Sequence, residues 1–404
     1  MQNLSSVNKK NTTLSFWFAT LSLITLFAAS ASPIPLYSIY RNSIGLTTES
    51  ISLTAVFYFI GCIISLIILS RLSNYLGRKP VSVVAQLLGM TGLLLLLTAT
   101  SPLGIIEARF FQGLACGLAS SVMSVFIVES SANKSLTLVN AITGSSVLVG
   151  LAFGGLLSGV FVQINSHGSK YIYWLLFILL AICSVGILKG KESIPKRIGA
   201  IKSLRPQIKI PIEARKYLPS AIGIFAGTWA IGGYFQAFSS TIGVTVFHMN
   251  SPIISAIILA SFMAPNLLGS SLSGRLNQIR GENIGILIFM LCIMMMYISF
   301  LVKLFPLFLI ASIVAGIAQG IAYSSAMQAL LIKSREEEKA GVLSVIYFIS
   351  YGGAALPSFI LGRFSNHLDF YQISLTYLII VLLLGSLTLI YNSKIRNKEQ
   401  PKNI

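Results

Sequence analysis

Residues 50–99 read SISLTAVFYFIGCIISLIILSRLSNYLGRKPVSVVAQLLGMTGLLLLLTA, and this stretch decides the fold. Two apolar runs, 50–70 and 80–99, flank a short basic loop. About 20 apolar residues are what an α-helix needs to cross the hydrocarbon core. A helix also satisfies its own backbone polar groups there, with no partner strand required. The runs lack strict alternation, so they predict two transmembrane helices joined by Arg71, Arg78 and Lys79.

The same signature recurs on both sides of this hairpin. The full set of predicted spans is 14–38, 50–70, 80–99, 103–128, 138–163, 171–189, 217–241, 252–273, 283–302, 305–332, 340–362 and 371–392. The run 14–38 is too long for a signal-peptide core and is taken as the first span. The fold class is an all-α membrane protein of twelve transmembrane helices. Composition agrees: 55% of residues are hydrophobic and 10% are charged, where soluble domains carry about 25% charged residues.

The net charge of +18 invites a nucleic-acid reading, but its distribution excludes one. Most of the 29 Lys and Arg fall on one side of the predicted spans: the N-terminus, every second loop, the central segment and the C-terminus. That bias places both termini in the cytoplasm of an inner-membrane protein. Residues 190–216 are basic, hold Pro195, Pro206 and Pro211, and lack a long apolar run. They read as a cytoplasmic linker between two six-helix halves, 1–189 and 217–404, and as a segment able to touch anionic lipid.

The halves resemble one another. Ser70-Arg71-Leu72-Ser73-Asn74-Tyr75-Leu76-Gly77 has a counterpart in Gly274-Arg275-Leu276-Asn277-Gln278-Ile279-Arg280-Gly281, and Gln112-Gly113 has one in Gln319-Gly320. Parallel six-span repeats are a known transporter plan.

With these residues in place, the chain resembles the major facilitator superfamily, in its twelve-helix drug and metabolite exporter branch. In the loop ending Gly77-Arg78-Lys79, Leu72, Gly77, Arg78 and Lys79 match the family pattern, while Ser70 replaces Gly and Asn74 replaces an acidic residue. Arg109-Phe110-Phe111-Gln112-Gly113 is similar to the family's fourth-helix motif. Gly150-Leu151-Ala152-Phe153-Gly154-Gly155 is similar to the fifth-helix signature of exporters, with Leu151 in place of its proline. The resemblance implies two pseudo-symmetric six-helix bundles and substrate movement by alternating access. It gives Arg109 a role in coupling protonation to substrate binding. It also pairs Arg78 with Glu129 as a cytoplasmic gate built around Asn74, Gly77 and Lys79. Asn74 brings no charge to a helix end, so this latch is expected to be weaker than the family's.

The residues themselves set the alternatives. A cation facing lipid within a span is costly, so Arg109 is expected inside the bundle; the competing reading is a guanidinium snorkelling to the nearby interface. Glu107 is a candidate coupling group or an interfacial carboxylate, and lies about 200° around the helix from Arg109. Arg78 and Glu129 form either a gate or two solvated charges. Candidate lining residues are Ser30, Tyr37, Tyr58, Gln112 and Asn140, then Trp229, Tyr234, Gln236, Asn266, Gln319, Tyr323 and Tyr347, with plain packing as the alternative for each aromatic. Gly113, Gly150, Gly154 and Gly155 are expected to pack helices closely.

Cys62, Cys116, Cys183 and Cys292 read as small buried hydrophobes. His167, His248 and His367 do not cluster, so no metal site is expected. No phosphate-binding glycine loop of the GxxxxGK type is present, so no cofactor beyond an ion gradient, expected to be protons, is predicted. The chain therefore reads as a monomeric carrier in contact with lipid rather than an enzyme. Its leading function is export of a small organic molecule: a drug, a metabolite or a metal-chelating metabolite. Uptake of an organic anion or other nutrient, and a non-transporting membrane scaffold or enzyme, are the alternatives.

Overall fold

A computed structural model describes residues 2–131, 134–165, 167–204, 211–332, 334–365 and 367–399. The long helices are α1 Gln2–Ala31, α2 Thr48–Ile64, α3 Arg78–Thr98, α4 Pro102–Glu129, α5 Leu136–Ile164, α6 Gly168–Lys189, α7 Leu218–Thr241, α8 Pro252–Met263, α9 Gln278–Leu301, α10 Phe305–Ile332, α11 Glu336–Arg363 and α12 Phe370–Glu399. Among the described residues, eleven segments are long and apolar enough to cross a membrane. The twelfth, α7, has 24 residues but interleaves Gly223, Gly227, Thr228, Gly232, Gly233 and Gln236 with its apolar positions. Nearly all of its length is buried by protein, so its surroundings do not demand a uniformly apolar surface.

The helix ends follow local chemistry. Thr47, Ser101 and Ser135 accept backbone N–H bonds at the starts of α2, α4 and α5, which satisfies donors a helix start leaves open. Pro33 and Pro35 end α1, and the chain continues as a tight turn, Ile34–Leu36, and a short helix, Tyr37–Ile44. Pro265 interrupts the eighth span, which resumes over Asn266–Ser273. Gly77 turns the chain into α3 with φ of 100°, a conformation that favours glycine because it has no Cβ.

The chain groups into two compact units. Unit 1 is Met1–Pro206 with Ser239–Thr241 and Asn250–Ala260; unit 2 is Gln207–Phe238, Ile242–Met249 and Ser261–Ile404. In unit 1, α1 packs on α4, α5 and α6, while α4 also packs on α2 and α3. In unit 2, α9 packs on α10 and α12. The core of unit 2 at one end joins Ala221, Ile224 and Phe225 of α7 to Ala322, Ala326 and Leu330 of α10 and to Val342 and Ile346 of α11.

Glycine sets the closest approaches. A Cβ on Gly113 would overlap the Tyr58 backbone, and one on Gly154 would overlap the backbone of Ala28. Gly113 therefore seats α4 on α2, and Gly154, with Gly150 against Ile24, seats α5 on α1.

One sequence boundary is corrected. The ninth span begins at Gln278 rather than 283, which moves Glu282 from the expected loop into a helix. Within the segment after α6, Arg197 N donates to the Tyr75 carbonyl at 2.8 Å.

Candidate functional site

Two polar centres and one aromatic cluster collect most of the residues singled out in the sequence. The first centre lies midway along unit 1. Pro33 has no N–H, so the Ala29 carbonyl of α1 lacks its helical donor. Gln112 Nε2 of α4 donates to it at 2.8 Å, as does the Ser32 hydroxyl at 2.9 Å. Arg109 Nη1 donates to the next carbonyl, Ser30 O, and to Gln112 Oε1 at 2.9 Å. The guanidinium carbon sits 4.3 Å from the Tyr58 ring centroid, within the range where cation and ring quadrupole attract.

Arg109 has 0% exposure. Its charge is thus spread over a broken helix end, an amide and a ring, rather than presented to a ligand. Glu107 is exposed and takes no part in this centre. Tyr37 is buried beneath it, its hydroxyl accepting from Thr54 Oγ1 at 3.1 Å. Asn140 lies on α5, but its side chain is outside the described residues.

The second centre closes one end of unit 1. Arg78 is 6% exposed and grips Glu129 with a fork: Nη2 to Oε1 at 2.8 Å and Nε to Oε2 at 3.0 Å. Its Nη1 donates to Ser73 Oγ at 2.6 Å and to Asn74 Oδ1 at 2.7 Å. Ser193 Oγ adds a 2.5 Å bond to Glu129. Paired N–H donors match the two carboxylate oxygens, which makes such a fork directional as well as attractive.

Asn74 brings no charge to this helix end, but another residue does. Glu192, from the segment after α6, places its carboxylate on the first turn of α3. It accepts from Arg78 N at 2.8 Å and Lys79 N at 3.0 Å. A carboxylate there satisfies open donors and complements the helix dipole. Lys79 Nζ in turn donates to the Gly190 carbonyl at 2.8 Å. Asn74 thus serves as a neutral acceptor for Arg78, and the charge its position lacks comes from Glu192. The sequence reading missed Glu192 because nothing periodic links it to a loop more than a hundred residues earlier.

Unit 2 repeats part of the first centre without its charge. Gln319 Nε2 donates to the Thr228 carbonyl of α7 at 3.3 Å. Gly320 faces the Asn266 carbonyl as Gly113 faces that of Tyr58. Asn266 is half-buried, and its Oδ1 accepts from Ser270 Oγ at 3.3 Å. Trp229 of α7 meets the Tyr351 ring at 4.9 Å and the Tyr323 ring at 6.1 Å. Tyr347 stacks on Tyr351 at 6.0 Å. These four rings from α7, α10 and α11 form one cluster. Tyr351 was not singled out in the sequence, although it follows Tyr347 by one helical turn.

Tyr234 stands apart. Its ring packs against Phe370 and Tyr377, and its hydroxyl bonds Ser374 at 2.7 Å. Gln236 is 4% exposed on the same helix. An apolar cavity of about 340 Å³ opens among Ala230, Gly353, Leu356, Pro357, Thr376 and Leu384. None of the selected polar residues lines it.

A sequence model of the Major Facilitator Superfamily matches residues 18–358. A solved POT family transporter in complex with 5-aminolevulinic acid is similar in structure at a TM-score of 0.69 and 13% identity, covering 96% of each chain. The nucleoside transporter NupG, solved as a mutant, is similar at a TM-score of 0.67 and 13% identity, covering 96% of this chain and all of that one. At that identity these likenesses speak to the fold.

Proposed function

Since the chain belongs to the Major Facilitator Superfamily, a family of membrane transporters, we propose that it exports a small organic molecule by alternating access, coupled to protons. The observation that carries this reading is the Arg78–Glu129 fork. Arg78 is buried and Glu129 is partly exposed. The cost of taking such a pair out of water offsets much of its attraction, so it contributes little net stability. It is suited to opening and reforming between two states, as a switch element must.

The substrate class follows from unit 2. Trp229, Tyr323, Tyr347 and Tyr351 offer ring faces and hydroxyls without a formal charge, and the Gln319 amide bonds the carbonyl of Thr228, next to Trp229. Such a lining suits an amphipathic, weakly charged compound. Arg109 is held by α1 and Tyr58, so an anionic substrate would first have to displace those contacts. Gly150 and Gly154, packed on α1, retain the exporter-like pattern of the fifth helix and favour outward movement.

The basic loops place both termini in the cytoplasm of the inner membrane, with the Arg78 latch on that face. The protein acts as a monomer surrounded by lipid. Metabolite retention in deletion and wild-type cells tests the direction. Accumulation inside the deletion strain is expected; depletion there would instead make this an uptake carrier. Substrate flux into inverted vesicles should rise with an imposed pH gradient and fall when the gradient is collapsed.

A further inference from the structure

Glu282, in the second turn of α9, has no part in the two centres above. It is 1% exposed. Its Oε2 accepts from Asn392 Nδ2 of α12 at 2.8 Å, and the same amide nitrogen donates to Asn283 Oδ1 at 2.8 Å. Glu282 Oε1 and Asn392 Oδ1 are both buried and both without a partner.

Among the described residues, no ion pair reaches Glu282. From α7, the Ser220 hydroxyl lies within hydrogen-bonding reach of Glu282 and also donates to the Tyr217 carbonyl at 2.9 Å. From α10, Ser325 faces the adjacent Gly281. Among the described residues, Arg280 on α9, Lys394 on α12, and Arg215 and Lys216 before α7 are exposed. An ionised carboxylate held out of water among neutral amide and hydroxyl groups is costly, and such a group loses its charge instead. A proton on the carboxyl removes the charge and turns one oxygen into a donor, in a site where two buried oxygens stand unpartnered.

We propose that Glu282 and Asn392 form a proton-binding site in unit 2, with Glu282 protonated in this conformation. The internal repeat sharpens the proposal. Gly281 matches Gly77 in the repeated loop, so Glu282 stands where unit 1 has Arg78. One half holds a permanent cation at that position, with four side-chain oxygens around it. The other holds a titratable acid among neutral amide and hydroxyl groups. Loss of the proton leaves a buried anion, so it favours any arrangement of α7, α9 and α12 that admits water to this corner. This deepens the proposed proton coupling by naming a residue that holds the proton. Its role in transport rests on that reading; the protonation itself does not.

Infrared spectra of the purified full-length protein in D2O test the site without any substrate. The wild type minus Glu282→Gln difference at neutral pH should show the C=O stretch of one protonated carboxyl per chain. That band should vanish as pH is raised. A difference containing only ionised-carboxylate bands at neutral pH overturns the proposal. So does a carboxylate difference accompanied by thermal stabilisation with NaCl but not KCl in the wild type alone, which would make the site a sodium site. If Glu282→Gln does not fold, Asn392→Ala supplies the second reading. Loss of the amide partner should shift the protonated-carboxyl band, and a band that stays in place overturns the assignment. Failure of export in cells would leave these spectra unchanged, so the two readings fail separately.

Discussion

The Gln112 side chain donates to the Ala29 carbonyl at 2.8 Å, the group that Pro33 leaves without a helical donor, and also accepts from Arg109 at 2.9 Å. One amide thus mends the broken end of α1 and orients the guanidinium beside it. Gln112→Leu keeps the approximate volume but removes, in a buried site, one of two donors to the Ala29 carbonyl and one of two acceptors of Arg109 Nη1. Leaving a buried polar group unsatisfied costs about 1–3 kcal/mol, and more where the group is charged. The variant should unfold at clearly lower temperature in detergent, while Gln112→Glu, which keeps an acceptor for Arg109, should lose less. Equal melting curves for Gln112→Leu and the wild type would remove this account of the centre.

Arg109→Lys separates charge from geometry. An ammonium keeps the positive charge but lacks the planar fork and the flat face set over Tyr58. The protein is expected to reach the membrane at near wild-type levels and to lose most of its transport. Full transport by the lysine variant would show that any cation suffices and that the Ser30, Gln112 and Tyr58 contacts are incidental.

How much of this was visible in the sequence depended on range. Eleven spans declared themselves because lipid imposes a run of apolar residues on each. The seventh was fainter, as Thr228 and Gln236 face protein. Arg78 and Glu129 could be paired only through a family resemblance, since no periodicity connects a loop to a helix end 51 residues later. Pro33 was legible as a helix breaker, but not that Gln112 and Arg109 would take up the carbonyls around the break. Glu192 and Glu282 were missed for different reasons. Glu192 acts across a long separation from an irregular segment. Glu282 fell just outside a predicted span whose start was placed too late, and an acid in an apparent loop reads as solvated.

The glycines give a graded test of packing. A Cβ on Gly154 would overlap the Ala28 backbone, which cannot yield, whereas one on Gly155 meets the flexible Leu259 Cδ2 at 3.2 Å. Gly154→Ala should therefore separate α1 from α5 and sharply lower the amount of folded protein recovered from membranes. Gly155→Ala should be recovered near the wild-type level. Overpacking of this kind costs typically about 1–3 kcal/mol. Similar recovery of the two variants would mean that α5 does not sit on α1 as described.

The latch can be dissected from its two sides. Glu129→Gln removes the ionic partner of Arg78 but keeps an acceptor, and Glu192→Gln removes the charge at the start of α3 while leaving the fork. Loss of a carboxylate cap costs about 0.5–2 kcal/mol, so Glu192→Gln is expected to lower thermal stability with little change in which state the carrier occupies. Glu129→Gln should do the reverse. With the fork weakened, the closed state loses population, and a cysteine introduced at Ser73 becomes labelled faster by a water-soluble maleimide. The charge swap of Arg78→Glu with Glu129→Arg should slow labelling again relative to either single change, because the fork re-forms in the opposite sense. If Glu129→Gln labels at the wild-type rate, Arg78 and Glu129 hold the helices in place but do not gate them.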